Sequence, residues 1–163
     1  MKKVSRRTFV MGGALTTAAA VTTGIFLCSG SGCSTLTGIG DTPALAADAY
    51  KIEAGGRLII DLCKTAELNK QHGSVKIIDN ALKDPLIVAR TGESAFVVAS
   101  LKCTHRGVEV EYNEKKRCFK CASLGGSEFK MTGEKIKGFA KGPLQSYLAR
   151  VEGDRLVVEA RTP

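Results

Sequence analysis

Residues 103–129 read CTHRGVEVEYNEKKRCFKCASLGGSEF, and this stretch decides how the whole chain is interpreted. It begins with C-T-H at residues 103–105, which places a thiol and an imidazole two residues apart in a turn closed by Gly107. Further along it holds Cys118 and Cys121, spaced as C-x-x-C. Thiolates and imidazoles that converge from two loops are the ligands of zinc and iron–sulfur centres. Because the chain has only six cysteines and two histidines, this concentration predicts a metal centre rather than scattered buried thiols.

Short apolar runs separated by polar turns surround this stretch and favour β-structure. Near the C-terminus, residues 147–151 and 155–159 flank Glu152-Gly153-Asp154, which is a typical hairpin signal. Residues 64–70 combine a threonine cap with helix formers and predict one or two helical turns. Many short strands with little helix predict a small all-β domain. Further strands are predicted at residues 57–62, 75–78, 86–89 and 94–100.

Two residues outside the motifs carry simpler interpretations. Cys63 lies at the end of an apolar run, so it is predicted to be an inert thiol of the core. His72 lies in a polar turn before a strand and is predicted to be a solvent-exposed loop histidine. The sequence has no G-x-S-x-G, H-E-x-x-H or P-loop motif, so no catalytic residue is predicted.

The two motifs resemble those of the Rieske iron–sulfur protein family, which carries C-x-H on one loop and C-x-x-H on a second. Cys103 and His105 match the first motif, and Cys121 begins the second. Leu124 stands where the second motif has its histidine. The similarity covers roughly residues 50–160. It implies an all-β, antiparallel β sandwich with a small two-loop cluster-binding subdomain at about 101–131, within a Rieske-like domain at 47–163.

The resemblance also implies a set of ligands and a cofactor. In the family, two cysteines hold one iron of a 2Fe-2S cluster and two histidines hold the other. Cys103 and Cys121 would accordingly hold the inner iron and His105 the outer iron. Three outcomes remain open: Cys118 or Ser123 completes the 2Fe-2S cluster; a single zinc binds to Cys103, His105, Cys118 and Cys121; or the site holds no metal. Either use of Cys118 requires a backbone bend, because residues three apart on a strand point to opposite faces.

Four further positions depart from the family pattern. Val108 and Ser123 occupy the places of a disulfide that ties the two loops in respiratory members, so the loops rely on packing. Phe129 stands near the position where high-potential members often have a tyrosine that hydrogen-bonds a ligand sulfur. The replacement implies fewer hydrogen bonds to sulfur and a lower reduction potential of the cluster. Phe139 replaces the first proline of the loop that covers the cluster.

The N-terminal segment, residues 1–46, is predicted to be an export leader and linker. The string SRRTFV at residues 5–10 resembles a twin-arginine export signal. An apolar run at 9–28 follows, and Ala44-Leu45-Ala46 fits an A-x-A cleavage site. Retention as a membrane anchor and lipidation at Cys28 or Cys33 are open alternatives. The expected location is the periplasmic side of a bacterial cytoplasmic membrane.

Charge and resemblance together set the expected function. The chain has 24 Lys and Arg against 16 Asp and Glu, a net charge of +8. These charges are scattered without aromatic interleaving, so no nucleic-acid partner is predicted. The resemblance implies an electron-transfer subunit of a quinol-oxidising respiratory complex rather than a stand-alone enzyme. Its partners would be a cytochrome b-type or other redox subunit and a cytochrome c-like acceptor, with a cluster-free docking subunit or a structural zinc domain as the alternatives.

Overall fold

β-Structure dominates the part of the chain that the computed structural model describes, residues 42–159. Within these residues the strands form two antiparallel sheets, and the helical content is one short helix and two 3-10 turns. This confirms the predicted all-β fold class. The strands are β1 (Tyr50–Ile52), β2 (Leu58–Asp61), β3 (Ser74–Ile77), β4 (Leu86–Arg90), β5 (Phe96–Ser100), β6 (Val110–Asn113), β7 (Cys118–Cys121), β8 (Glu128–Phe129), β9 (Lys135–Lys137), β10 (Ser146–Glu152) and β11 (Arg155–Glu159), with 3-10 turns at Ala47–Ala49 and Leu62–Lys64 and helix α1 at Ala66–Asn69.

The larger sheet has seven strands in the order β1-β2-β11-β10-β5-β4-β3. Strands from both ends of this order share one buried cluster: Leu58 and Ile60 of β2 lie in the same core as Val75 and Ile77 of β3. Because β2 and β3 are well separated in the strand order, the sheet must curl around this core. Branched aliphatic side chains suit such a surface, and they fill it in a chain without tryptophan.

The smaller sheet, in the order β6-β7-β8-β9, carries the predicted metal motifs and has its own core. Strand β4 serves both cores, because successive side chains of a strand point to opposite faces. Leu86 and Val88 belong to the core of the larger sheet, whereas Ile87 and Ala89 pack in the second core with Phe119. Double-sided burial explains why this strand appears in the sequence as an uninterrupted apolar run.

A buried ion-pair cluster joins the two sheets. Lys76 of β3 pairs with Glu111 of β6, and its Nζ lies 3.0 Å from Oε2 of Glu109. The amide of Thr42 donates a hydrogen bond to Oε2 of Glu111 at 2.8 Å. Burial would lower the pKa of Lys76, but hydrogen bonds and charges of the two carboxylates raise it above the ordinary value. Lys76 is therefore charged, although its side chain is almost completely buried.

The four isolated strands predicted from the sequence each match an observed strand to within two residues at either end. The predicted C-terminal hairpin is the pair β10 and β11, with Glu152 opposite Arg155. The predicted helical turns are present as the 3-10 turn at Leu62–Lys64 and helix α1. Local periodicity and turn residues were sufficient for these elements.

The structure differs from the predictions for Cys63 and His72, the two residues outside the motifs. The prediction that Cys63 is a core thiol is wrong, since this residue is exposed. It lies in the 3-10 turn after β2, where its amide donates to Oδ1 of Asp61 at 3.0 Å, so the apolar run ends one turn earlier than expected. His72 is half-buried rather than fully exposed. Its φ is 61°, and its Nδ1 is buried without a hydrogen-bond partner among the residues described.

Residues 42–46 contact the larger sheet. The amide of Lys76 donates to the carbonyl of Pro43 and the amide of Leu45 donates to the carbonyl of Lys76, both at 2.8 Å. Residues 1–41 of the predicted leader and linker, with the twin-arginine string and the two cysteines predicted as lipidation sites, lie outside the described residues. The predicted cleavage site at residues 44–46 and the domain boundary at residue 47 stay predictions. Between residues 42 and 159, no helix is long and apolar enough to cross a membrane.

Candidate metal centre

The first loop follows β5 and holds two of the predicted ligands. The amide of Cys103 donates to the carbonyl of Val108, and the amide of Gly107 donates to the carbonyl of Cys103, both at 2.8 Å. Gly107 has a φ of 69°, a left-handed conformation that glycine adopts without strain. This tight turn buries Cys103 and leaves His105 half-buried. The thiol therefore lies in the core, and the imidazole lies nearer the surface.

The second loop leaves the sheet at Cys121 and returns at β8. The amide of Cys121 donates to the carbonyl of Ser127 at 2.8 Å, and the amide of Gly126 donates to the carbonyl of Ser123 at 2.9 Å. Gly126 has a φ of 48°, again in the region that favours glycine. These bonds close the loop and leave Cys121 only 1% exposed.

The two loops bring the thiols of Cys103 and Cys121 together in the second core, and both thiols are free. Burial raises the pKa of Cys103 above its ordinary value, and the neighbouring Cys121 thiol adds to this effect. Hydrogen bonds from the amide of His105 and the hydroxyl of Ser127 act in the opposite direction, because they stabilise the thiolate. The hydroxyl of Ser123 lies 3.1 Å from Sγ of Cys121. Two adjacent sulfurs with polar groups beside them form a suitable ligand pair for one metal ion.

A third segment, residues 138–144, covers both loops and is called the covering segment below. The hydroxyl of Thr104 donates to the carbonyl of Gly142 at 2.8 Å and lies 3.3 Å from the amide of the same glycine. The amide of Ala140 donates to the hydroxyl oxygen of Ser127 at 3.0 Å. The covering segment is thereby fastened to one residue beside each cysteine loop, and it lies where the sequence resemblance implied a loop over the cluster.

The side of the site that holds His105 lacks a second donor. Leu124 is fully exposed, at 103% of the reference area, and has no donor atom. The ring of Phe139 lies beside His105 instead, with the two centroids 5.8 Å apart. Among the described residues, no three Cys, His, Asp or Glu side chains are arranged to hold a metal ion. The residues present therefore fit the two-cysteine half of a 2Fe-2S cluster and do not fit its two-histidine half.

Cys118, the remaining predicted metal ligand, lies on the other face of β7. It pairs with Asn113, whereas Cys121 pairs with Val110, and residues three apart on a strand point to opposite faces. Burial raises the pKa of Cys118, and the nearby charge of Glu128 adds to the increase. The structure does not bring Cys118 together with the other three predicted ligands, so the alternative of a four-ligand zinc site gains no support from residues 42–159.

Glu128 anchors the face of the small sheet opposite the site. Burial of its carboxyl would raise the pKa, but Lys116 and Lys137, at 3.2 and 3.4 Å, outweigh this and lower the pKa below its ordinary value. A carboxyl with a depressed pKa stabilises the fold above its unfolded-state pKa, and this contribution is lost as the pH falls through the folded-state pKa. We expect Glu128→Gln to lower the free energy of unfolding by about 1 to 2 kcal/mol at pH 7.

The same substitution should flatten the acid dependence of stability, measured by urea unfolding between about pH 7 and pH 3. Glu134→Gln is the matched control, because Glu134 pairs with Lys130 on the exposed surface at 2.7 Å. Exposed pairs contribute about 0 to 1 kcal/mol, so this variant should follow the wild type. Equal acid dependence in Glu128→Gln and the wild type would contradict the assignment.

Sequence reasoning missed Ser127, and it considered Ser123 only as a possible ligand and as the place of an absent disulfide partner. In the structure, both hydroxyls lie beside the cysteine sulfurs rather than beside His105. A serine directly after Gly125-Gly126 gave a weak signal, since glycines permit the close turn that aims the following side chain back into the loop. Which cysteine sulfur each serine hydroxyl contacts depends on how the two loops pack on each other. No local sequence pattern predicts this packing.

Comparisons with known proteins agree with this geometry. Residues 59–148, more than half of the chain, match the Rieske [2Fe-2S] domain. The chain is 36% identical over 76 residues to the cytochrome b6-f complex iron-sulfur subunit of Chlorobaculum thiosulfatiphilum. This match covers 47% of the chain and 41% of the relative, so the chain spans about two fifths of the length of that curated relative.

Similar solved structures include the plasma membrane Rieske protein PetC3 from Synechocystis PCC 6803, with a TM-score of 0.47, 31% identity, and coverage of 53% of this chain and 86% of that one. Another is the ferredoxin of carbazole 1,9a-dioxygenase from Nocardioides aromaticivorans IC177, with a TM-score of 0.49, 19% identity, and coverage of 59% and 94%. The family match spans both cysteine loops and the whole covering segment. By this match over residues 59–148, the chain belongs to the Rieske [2Fe-2S] domain family.

Proposed function

We propose that this chain is an electron-transfer protein that binds a 2Fe-2S cluster at an atypical, three-ligand site. The observation that carries the proposal is the pair of buried thiols of Cys103 and Cys121, which come from separate loops and meet in one core. Hydrogen bonds from the amide of His105 and the hydroxyl of Ser127 to Sγ of Cys103, and the hydroxyl of Ser123 beside Sγ of Cys121, would stabilise negative charge on these sulfurs. Coordination to iron gives them that charge.

The residues at the site have distinct roles in this proposal. Cys103 and Cys121 would hold one iron, and His105 would bind the other. When bound, a 2Fe-2S cluster supplies a centre that takes up and releases one electron at a time. The amide of His105 and the hydroxyls of Ser123 and Ser127 lie beside the sulfur atoms of the two cysteines. Hydrogen bonds at these sulfurs would stabilise negative charge and so influence the reduction potential of the cluster.

The partners and location belong to the same proposal. The Chlorobaculum relative is named as a subunit of a cytochrome b6-f complex, which supports cytochrome-type redox partners for this chain as well. We place the chain in a membrane-associated complex on the periplasmic side of a bacterial membrane. The support for this location is the basic and apolar sequence of residues 1–46, with its twin-arginine string.

A second candidate is a cluster-free Rieske-fold subunit that serves in assembly or docking. The exposed side chain of Leu124 favours it, because a family site without its fourth protein ligand holds the cluster less tightly. The two candidates differ in one measurable property, the iron content of the isolated protein.

The test is metal and sulfide analysis of the full chain, expressed and purified without oxygen and without a metal-affinity tag. Electron transfer predicts about two irons and about two sulfides per chain, with a paramagnetic signal on reduction by dithionite. A colourless, folded protein without iron would contradict electron transfer and favour the docking alternative. Stoichiometric zinc, with unfolding by a chelator, would point to a structural zinc domain.

A further inference from the structure

Three segments converge at one end of the smaller sheet, and we call the surface that they form the loop end. The segments are residues 101–108, 119–127 and 135–145. The hydroxyl of Thr104 in the first donates to the carbonyl of Gly142 in the third at 2.8 Å. The amide of Ala140 in the third donates to the hydroxyl oxygen of Ser127 in the second at 3.0 Å. These bonds hold the three segments together as one surface.

The loop end is basic. Its segments contain six Lys and Arg residues without an Asp or Glu, namely Lys102, Arg106, Lys120, Lys135, Lys137 and Lys141. All of these are exposed except Lys120, which is half-buried. Carboxylates from outside the segments contact two of the cations, since Lys102 lies 3.7 Å from Asp84 and Lys137 lies 3.4 Å from Glu128. The rest of residues 42–159 contain slightly more Asp and Glu than Lys and Arg, so the positive charge of this part of the chain is concentrated at the loop end.

Large apolar side chains protrude from the same surface. Leu124 is 103% exposed and Phe139 is 69% exposed. A Cβ atom at Gly125 would lie only 2.8 Å from Cδ2 of Phe139, so this ring packs on the residue next to Leu124. Ile136, at 51% exposure, belongs to the same three segments. Adjacent exposed apolar side chains with polar residues around them mark a surface that contacts a partner or a membrane.

We propose that the loop end contacts an anionic lipid bilayer, where Leu124 and Phe139 insert among the headgroups and the surrounding cations bind lipid phosphates. Phe and Leu combined with Lys and Arg are typical of protein surfaces that lie in the membrane interface. An acidic protein surface would match the charge as well. However, protein interfaces are depleted of Lys and enriched in Arg, whereas five of the six cations here are Lys. The contact requires no metal in the site, so it is independent of the proposed function.

The experiment uses a single introduced tryptophan. No Trp occurs in the chain, so an indole placed by Phe139→Trp reports only its own surroundings. The full chain is mixed with phosphatidylglycerol vesicles whose acyl chains are either brominated or unbrominated, because bromine quenches an indole that enters the interface. We expect a blue shift of the emission and several-fold stronger quenching than for Leu148→Trp. Leu148, on β10 of the larger sheet, is 53% exposed and is the matched control.

The measured quantity is the ratio of membrane-contacting to free indole, since the apolar run at residues 9–28 could itself hold the full chain on a vesicle. In the Phe139→Trp background, Arg106→Gln with Lys141→Gln should lower this ratio about 25-fold, because each cation near an anionic surface contributes about fivefold. Leu124→Gln should lower it about tenfold. Lys51→Gln with Lys83→Gln removes two exposed cations outside the loop end and should leave the ratio unchanged.

Different outcomes would overturn different parts of the inference. Equal quenching of the indoles in Phe139→Trp and Leu148→Trp would show that the loop end does not contact the bilayer. Equal quenching on phosphatidylcholine and phosphatidylglycerol vesicles would remove the role of the cations. An indole in Phe139→Trp that ignores vesicles but responds to polyglutamate in a salt-dependent manner would assign the loop end to an acidic protein surface instead. Circular dichroism of each variant verifies that it is folded.

Discussion

Cys103→Ser and Cys121→Ser should each reduce the iron content of the full chain from about two atoms to nearly none. Both thiols lie in the second core, at 2% and 1% exposure. Within residues 42–159 the other buried cysteine, Cys118, lies on the opposite face of β7 and is not placed to replace either of them. A serine oxygen is a poorer ligand for iron than a thiolate. The measurement is iron and sulfide per chain after purification without oxygen.

Cys118→Ser is the matched control for these variants. Cys118 is as buried as the two predicted ligands but faces away from Cys121. We expect it to retain iron and the paramagnetic signal of the wild type, apart from a modest loss of stability. Loss of iron in Cys118→Ser, with circular dichroism unchanged, would show that the strand bends to bring this thiol to the metal. Cys63→Ser, at an exposed position, should be neutral in both assays.

Lys76→Met should lower the free energy of unfolding by about 3 to 5 kcal/mol, the usual result of removing one partner from a buried ion pair. Glu111 is 4% exposed at its side chain and would keep only the amide of Thr42 as a partner. The pair links β3 of the larger sheet to β6 of the smaller sheet, so its loss should also loosen the metal-binding part of the protein. Urea unfolding monitored by circular dichroism measures the effect.

A double variant separates the cost of an orphaned charge from the value of the pair. Replacing both partners of a buried ion pair with apolar residues is often nearly neutral, so Lys76→Met with Glu111→Met should recover much of the lost stability. Lys102→Met is the surface control, because Lys102 and Asp84 form an exposed pair at 3.7 Å that contributes about 0 to 1 kcal/mol. Equal losses in the single and double variants would mean that packing rather than charge explains the result.

These predictions differ in how far the sequence alone supports them. Cys103, His105 and Cys121 could be predicted as ligands without a structure, because ligand type and spacing are properties of short segments; their role as ligands stays a prediction. The same holds for the exclusion of Leu124 as a ligand, since an aliphatic side chain has no donor atom. The strands and the C-terminal hairpin also followed from alternation and turn residues, which act over a few residues.

The ion pair of Lys76 and Glu111 could not be predicted, because the partners are 35 residues apart and lie on different sheets. Nor could the exposure of Cys63, which depends on where a strand gives way to a turn. The position of Phe139 beside His105 and Gly125 arises from a segment that folds back over both loops. Each of these features requires knowledge of which strands are neighbours.

The sequence by itself therefore determined the all-β class, the two loops, three candidate ligands and the absence of a fourth at position 124. Only the tertiary structure decided that Cys118 faces away from the site, that Ser123 and Ser127 serve the sulfurs, and that an aromatic ring lines the open side of His105. The physical reason is the range of the forces involved. Backbone preference and side-chain alternation depend on neighbouring residues in the sequence. Packing and hydrogen bonds between loops form only when strands that are distant in the sequence pair in the folded protein.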